Sequence, residues 1–255
     1  MKRAATLLLV LFAPLVCAVP RASADLGMTM TLTMNMGGGS MVINSEMQTR
    51  IKASKMRADV KLMGQDMSVL FDQGTKQVLM INHATKEISN TDPGALAANN
   101  PVAFGEAAVS MKPTGETKEL LGRACQGYAI EMTVPMTVGA ETITMRMSGT
   151  IWIADKGPGV EEYKALSRAA AESGFSTSFM AQGPTMKGMV EMQKTMAEAG
   201  IPMSQEFRMS LEGTGQAAAM MGQMGNMVMT MTVTSISTDA VADEVFAEPA
   251  GYTKK

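Results

Sequence analysis

From residue 26 onward the chain alternates. In Met28-Thr29-Met30-Thr31-Leu32-Thr33-Met34-Asn35-Met36 every second residue is apolar, and Met227-Val228-Met229-Thr230-Met231-Thr232-Val233 repeats the pattern near the other end. A period of two puts all the methionines of such a run on one face of a β-strand. Met56-Arg57-Ala58-Asp59-Val60-Lys61-Leu62 has apolar even positions and charged odd ones, as in a half-exposed antiparallel strand. Turns at 37–39, 64–65 and 73–75 then predict a meander through 40–43, 66–72, 76–82 and 86–90. Residues 91–108, punctuated by Asp92-Pro93-Gly94 and Asn99-Asn100-Pro101, predict one or two helical turns across the sheet. Strands resume at 116–121, 124–134 and 141–154.

The period changes after Asp155-Lys156-Gly157-Pro158-Gly159. Residues 160–173 carry Glu161 and Glu162 early, favourable at the positive end of a helix. In 184–199, Met186, Met189, Val190, Gln193, Met196 and Ala197 form one stripe, and Gly200 is a stop signal. Strands at about 203–212 and 226–237 complete the pattern. The fold class is therefore mainly β (α+β): one curved antiparallel sheet, with helices of the excursion at about 156–200 covering its concave face.

Composition sharpens this reading. The chain has 29 methionines against 7 phenylalanines, 3 tyrosines and 1 tryptophan. Methionine is unbranched, flexible and polarisable, so a face built from it can re-pack around guests of different shape. Met28, Met30, Met34 and Met36 are expected on the helix side. A hydrophobic ligand cavity is expected between the sheet positions Met145, Met147, Met209, Met229 and Met231 and the helix positions Met186, Met189 and Met196. Thr29, Thr144, Arg146 and Arg208 are expected on the other face.

Residues 1–24 read as an export signal: Lys2 and Arg3, an apolar stretch from Ala4 to Ala18, and a small-residue cleavage site at Ala22-Ser23-Ala24. Val16 before Cys17 departs from the bacterial lipidation motif, so soluble export to the periplasm is favoured over lipid anchoring. Residues 25–255 then form a single domain, with no stretch of the roughly 20 apolar residues a membrane helix needs. Removing Lys2, Arg3 and Arg21 leaves 19 basic against 24 acidic residues. This mild acidity, with few aromatics, argues against nucleic acid. Cleavage leaves Cys125 alone; it reads as a small buried hydrophobe.

Little in the chain supports catalysis. His83 is the only histidine and sits before a turn, where it reads as a polar turn residue. There is no Gly-x-Ser-x-Gly elbow, CxxC, HExxH or calcium loop. No enzyme activity and no cofactor is expected. Copper is the alternative chemistry: thioethers suit Cu(I), and Met220, Met221, Met224 and Met227 sit among glycines. A structural or interaction protein with a methionine-rich core is the further alternative.

Four segments carry a family resemblance. Lys55-Met56-Arg57-Ala58-Asp59 resembles the opening meander of periplasmic proteins related to the outer-membrane lipoprotein carrier LolA. Glu119-Leu120-Leu121-Gly122-Arg123-Ala124-Cys125-Gln126-Gly127-Tyr128 resembles a "GxxCxxY" strand pair in an uncharacterised branch of that group. Gly149-Thr150-Ile151-Trp152-Ile153-Ala154-Asp155 resembles its "G-x-x-W-I-A-D" strand, and Phe246-Ala247-Glu248-Pro249-Ala250-Gly251-Tyr252 its "F-x-x-P-x-G-Y" ending. The resemblance implies an incomplete barrel with helices over its hollow, where relatives hold acyl chains. It also implies a hydrophobic or lipid-like ligand, with an envelope protein as a further partner. The branch is a domain of unknown function, and no position matches a lipoprotein-handling arginine motif.

Overall fold

The computed structural model describes residues 25–36, 39, 41–62, 64–75, 77–90, 102–138, 141–172, 187–214 and 227–255. The expected signal segment 1–24 lies outside them. Among the described residues thirteen strands join in one sheet. The first six are β1 (Leu26–Met36), β2 (Met41–Lys52), β3 (Lys55–Leu62), β4 (Gln65–Asp72), β5 (Gln77–Asn82) and β6 (Glu87–Asn90). They form the predicted antiparallel meander. β7 (Val102–Phe104), β8 (Ala108–Leu120), β9 (Arg123–Val138) and β10 (Glu141–Ala154) follow. The helices α1 (Val160–Glu172) and α2 (Lys187–Ala199) precede β11 (Ile201–Gly213), β12 (Met227–Ser237) and the short β13 (Thr253–Lys254).

The spatial order is β13-β6-β5-β4-β3-β2-β1-β12-β11-β10-β9, with β7 and β8 both beside β9. Pairing of β1 with β12 brings the two ends of the chain together at mid-sheet. The curved sheet does not close into a barrel.

Three expectations are corrected. Residues 102–104, read as part of a helical crossing, are the strand β7. β8 pairs with β9 as far as Thr133, and β7 takes positions 136–138, so an open ladder captures Val102–Phe104. The rest of that crossing, 91–101, lies outside the described residues. β8 begins at Ala108, eight residues before the predicted start, because its length is set by the partner ladder. Finally, β13 runs parallel to β6 in an otherwise antiparallel sheet, with Thr253 N–H donating to Lys86 O at 2.9 Å. It covers an edge that would otherwise expose unpaired backbone groups.

Register places the methionine runs on one shared face. Met34 opposes Met229 and Leu32 opposes Met231 across β1 and β12. Phe207 opposes Met229 and Gly149, and Met147 opposes Met209 and Met132. Both helices pack on this face. Leu166 and Ala170 of α1 share a buried cluster with Leu26, Met28, Ile51 and Phe71. Met192 and Met196 of α2 pack on a second cluster containing Met132, Ile143, Met147, Ile151 and Phe207. Arg146 and Arg208 are exposed on the opposite face, whereas Thr29 and Thr144 there are half-buried. A third, smaller cluster lies on that opposite face, where Leu70, Leu79, Ile81 and Ile88 meet Tyr252.

Candidate ligand cavity

Between the meander and the helices lies a cavity of about 580 Å³. Its sheet wall is built of cross-strand rows. The deepest, Leu26, Ile51, Met56, Phe71 and Val78, is mostly core, with Ile51 and Met56 reaching the cavity. Met28, Thr49, Ala58, Val69 and Met80 form the middle row. Met30, Met47, Val60 and Met67 form the outermost. Exposure rises in that order: Leu26, Ile51 and Phe71 are buried, while every residue of the outermost row is half-buried. The cavity therefore deepens toward the first row and opens along the last.

The opposite wall is helical. Tyr163, Leu166, Ser167 and Ala170 of α1 fall at i, i+3, i+4 and i+7, one stripe aimed into the space. Met196 and Ala197 of α2 complete it. Ala58 on the sheet and Ser167, Ala170 and Ala197 on the helices contribute small side chains to the lining. Tyr163 and Ser167 are hydrogen-bonded, and burial pushes the Tyr163 phenol above its ordinary pKa. No charged side chain lines the cavity among the described residues.

Of the sequence-predicted cavity residues, Met196 lines this space. Met147 belongs to the second core cluster, and Met145 and Met229 pack against it. Met209 and Met231 are half-buried on the same face. Met186 and the side chain of Met189 lie outside the described residues. The cavity methionines on β1–β5 were missed as a site, although their parity was readable at Met56, Ala58 and Val60. Of the copper candidates, Met220, Met221 and Met224 lie outside the described residues; Met227 starts β12, opposite Met209. Among the described residues no three of His, Cys, Asp and Glu gather as metal ligands. No described helix is long and apolar enough to cross a membrane.

The reverse of the same strands carries a polar cluster that the sequence did not reveal. Arg50 Nη1 and Arg57 Nε each donate to Asp59 at 2.7 Å. Ser68 Oγ lies 2.6 Å from Asp59 Oδ1 and 2.7 Å from His83 Nε2, and Arg57 Nη2 donates to it at 3.0 Å. His83 Nδ1 is 2.9 Å from the Tyr252 hydroxyl. The single Ser68 proton goes to the carboxylate, so His83 Nε2 carries a proton and donates to Ser68. In the neutral ring Nδ1 accepts from Tyr252. His83 is thus the expected polar turn residue, at the start of the turn 83–86, and also a half-buried tie between the meander and the C-terminal segment. The cluster is not a nucleophilic triad: Ser68 is 1% exposed, and its proton points to the acid rather than to a base. Burial alone would raise the Asp59 pKa, but hydrogen bonds from Ser68 and Arg57 and the charge of Arg57 hold it below the ordinary carboxylate value. Cys125 is buried, and desolvation pushes its thiol up, as expected for a structural residue.

A family model, Domain of unknown function (DUF4412), matches residues 27–182. The chain belongs to the DUF4412 family. Its match begins at the first strand and spans the whole sheet wall of the cavity together with α1. No curated protein matches the sequence. Among solved structures, PNGF-II in a C2 crystal form is similar at TM-score 0.34 and 13% identity, covering 91% of this chain and 31% of that one. This chain therefore spans about a third of the PNGF-II chain it matches. A DUF1329 family protein from Desulfovibrio piger ATCC 29098 is similar at TM-score 0.33 and 6% identity, with 89% and 91% covered. A domain from Vibrio parahaemolyticus described as an outer membrane lipoprotein-sorting protein is similar at TM-score 0.35 and 6% identity, with 88% and 90% covered.

Proposed function

We propose that this DUF4412 protein is a non-catalytic binder or carrier of a hydrophobic, lipid-like ligand in the bacterial cell envelope. The observation that carries the reading is the 580 Å³ apolar cavity between β1–β5 and the two helices. Its size falls within the range of small-molecule sites, roughly 300–1,000 Å³. On this reading the helix-bearing face is the concave one and residues 25–255 act as one unit. The chain is exported, loses residues 1–24, is not anchored through Cys17, and works in the periplasm. Each methylene buried in the cavity would contribute about 0.8 kcal/mol, and the methionine walls adapt to the guest. Met196 is the predicted helix contact; Met145, Met147, Met209, Met229 and Met231 continue the same soft face beyond the present void. Carriage of lipoprotein acyl chains is one version of this function, and handover to an envelope protein would follow from it.

A fluorescent fatty-acid probe titrated into the purified protein tests the reading. Saturable uptake at micromolar levels is expected. Ala58→Asp, which puts a charge into the apolar wall, should abolish uptake, and Lys194→Asp on the exposed side of α2 should not. A folded protein that takes up no probe would end the carrier reading.

A further inference from the structure

We propose that the cavity holds one acyl chain at a time, so that the ligand is a single-chain amphiphile such as a free fatty acid or a lysophospholipid. The inference rests on the ligand-binding reading above and narrows it.

Volume comes first. A methylene is about the size of a water molecule, whose share of the liquid is about 30 Å³. A space of 580 Å³ therefore holds roughly nineteen such groups. That is one chain of the common lengths; a pair of them would need about 1,000 Å³.

The walls do not offer the difference. Behind the sheet wall, the reverse face is occupied by Leu70, Leu79, Ile81 and Ile88 and by the Arg57–Asp59–Ser68 cluster. On the helix side, Leu166 and Ala170 are buried in the same cluster as Leu26, Ile51 and Phe71. Room for a second chain would require lifting α1 off that closed core.

Polarity then orients the guest. Thr49, Tyr163 and Ser167 are the polar residues among the described lining; Thr49 is buried, and Tyr163 and Ser167 are bonded to each other. A carboxylate or phosphate inside would be a charge without a partner. The head group accordingly stays at the half-exposed row of Met30, Met47, Val60 and Met67, with the chain end toward Ile51.

Two probes with one head group test this. Palmitoyl lysophosphatidylcholine and dipalmitoyl phosphatidylcholine are each titrated into the exported protein, with stoichiometry read by native mass spectrometry. One lysolipid per protein is expected, with the diacyl lipid at least tenfold weaker. Ala58→Phe, which fills the middle of the cavity, should weaken lysolipid binding at least tenfold without lowering Tm; Val60→Phe serves if that variant does not fold. Two lysolipids per protein, or equal affinity for both lipids, would overturn the single-chain inference and leave the carrier reading standing. Full binding by the filled variant would overturn the assignment to this cavity. If the folded protein binds neither lipid and takes up no fatty-acid probe, both readings fall.

Discussion

The two halves of the helix-bearing face look alike in sequence and differ in substance. β1–β5 and β8–β12 both present alternating apolar residues, many of them methionine, to the same two helices. The β8–β12 half is solid under α2: Met192 and Met196 pack against the buried cluster of Ile143, Met147, Ile151 and Phe207. The β1–β5 half is hollow, and the small residues Ala58, Ser167, Ala170 and Ala197 are among those lining its void. Hydrophobicity decides that both faces are turned inward; side-chain size at a few facing positions decides which one keeps a void. The reverse faces differ too. Behind the hollow half lies the partly buried Arg50–Arg57–Asp59–Ser68–His83–Tyr252 cluster, whereas behind the solid half Arg146–Glu212 and Arg208–Glu206 are exposed pairs.

The sharpest way to break this contrast is to remove bulk from each half. Phe207→Ala should cost about 3–5 kcal/mol in urea unfolding, because a closed core cannot refill the space. Met67→Ala, at a half-exposed cavity wall, should cost under about 1 kcal/mol, since much of its surface is already accessible. Equal costs would mean that the hollow half is not hollow.

Adding bulk should reverse the sign. A Cβ on Gly149 would run into the Glu206 carbonyl and meet Phe207 Cδ1 at 2.7 Å. Gly149→Ala should therefore destabilise by about 1–3 kcal/mol. Ala58→Leu should stabilise by about 0.5–2 kcal/mol as a cavity-filling change, while lowering fatty-acid probe uptake. Thermal unfolding and the probe titration check the pair.

The polar cluster behind the hollow half gives a pH signature. Its lowered pKa means that Asp59 contributes fully above the ordinary carboxylate value of about 4, and that this contribution is lost as pH falls through the lowered value. Asp59→Asn should cost about 1–2 kcal/mol at neutral pH, discounted for its partial exposure. It should also flatten the acid limb of the stability curve, measured by urea midpoints from neutral pH downward. An unchanged acid limb would show that the cluster is not coupled to folding. The smallest effect belongs to the exposed pair of Lys255 and Glu87 on the β13 edge. Lys255→Ala should leave Tm within measurement error.

Much of this architecture was legible in the chain itself. A period of two at Met28–Met36, Met56–Leu62 and Met227–Val233 specified strands and assigned their faces, because a strand has only two. The stripe at Met189, Met196 and Ala197 specified a helix, and three of the four family-like segments fall inside the DUF4412 match. The cavity itself was not legible. Its walls come from five strands and two helices that meet only through the register of β1 with β2 and the seating of α1, so no local pattern marks Ala58 and Ala170 as facing one another. His83 was legible as a turn residue but not as a tie, because Ser68 and Tyr252, which bind its two nitrogens, lie 15 and 169 residues away. β7 was misread because its pairing depends on how far β8 reaches along β9. Local periodicity is written residue by residue and can be read that way. The size of a gap between two packed faces depends on residues far apart in the chain, and only the tertiary structure brings them together.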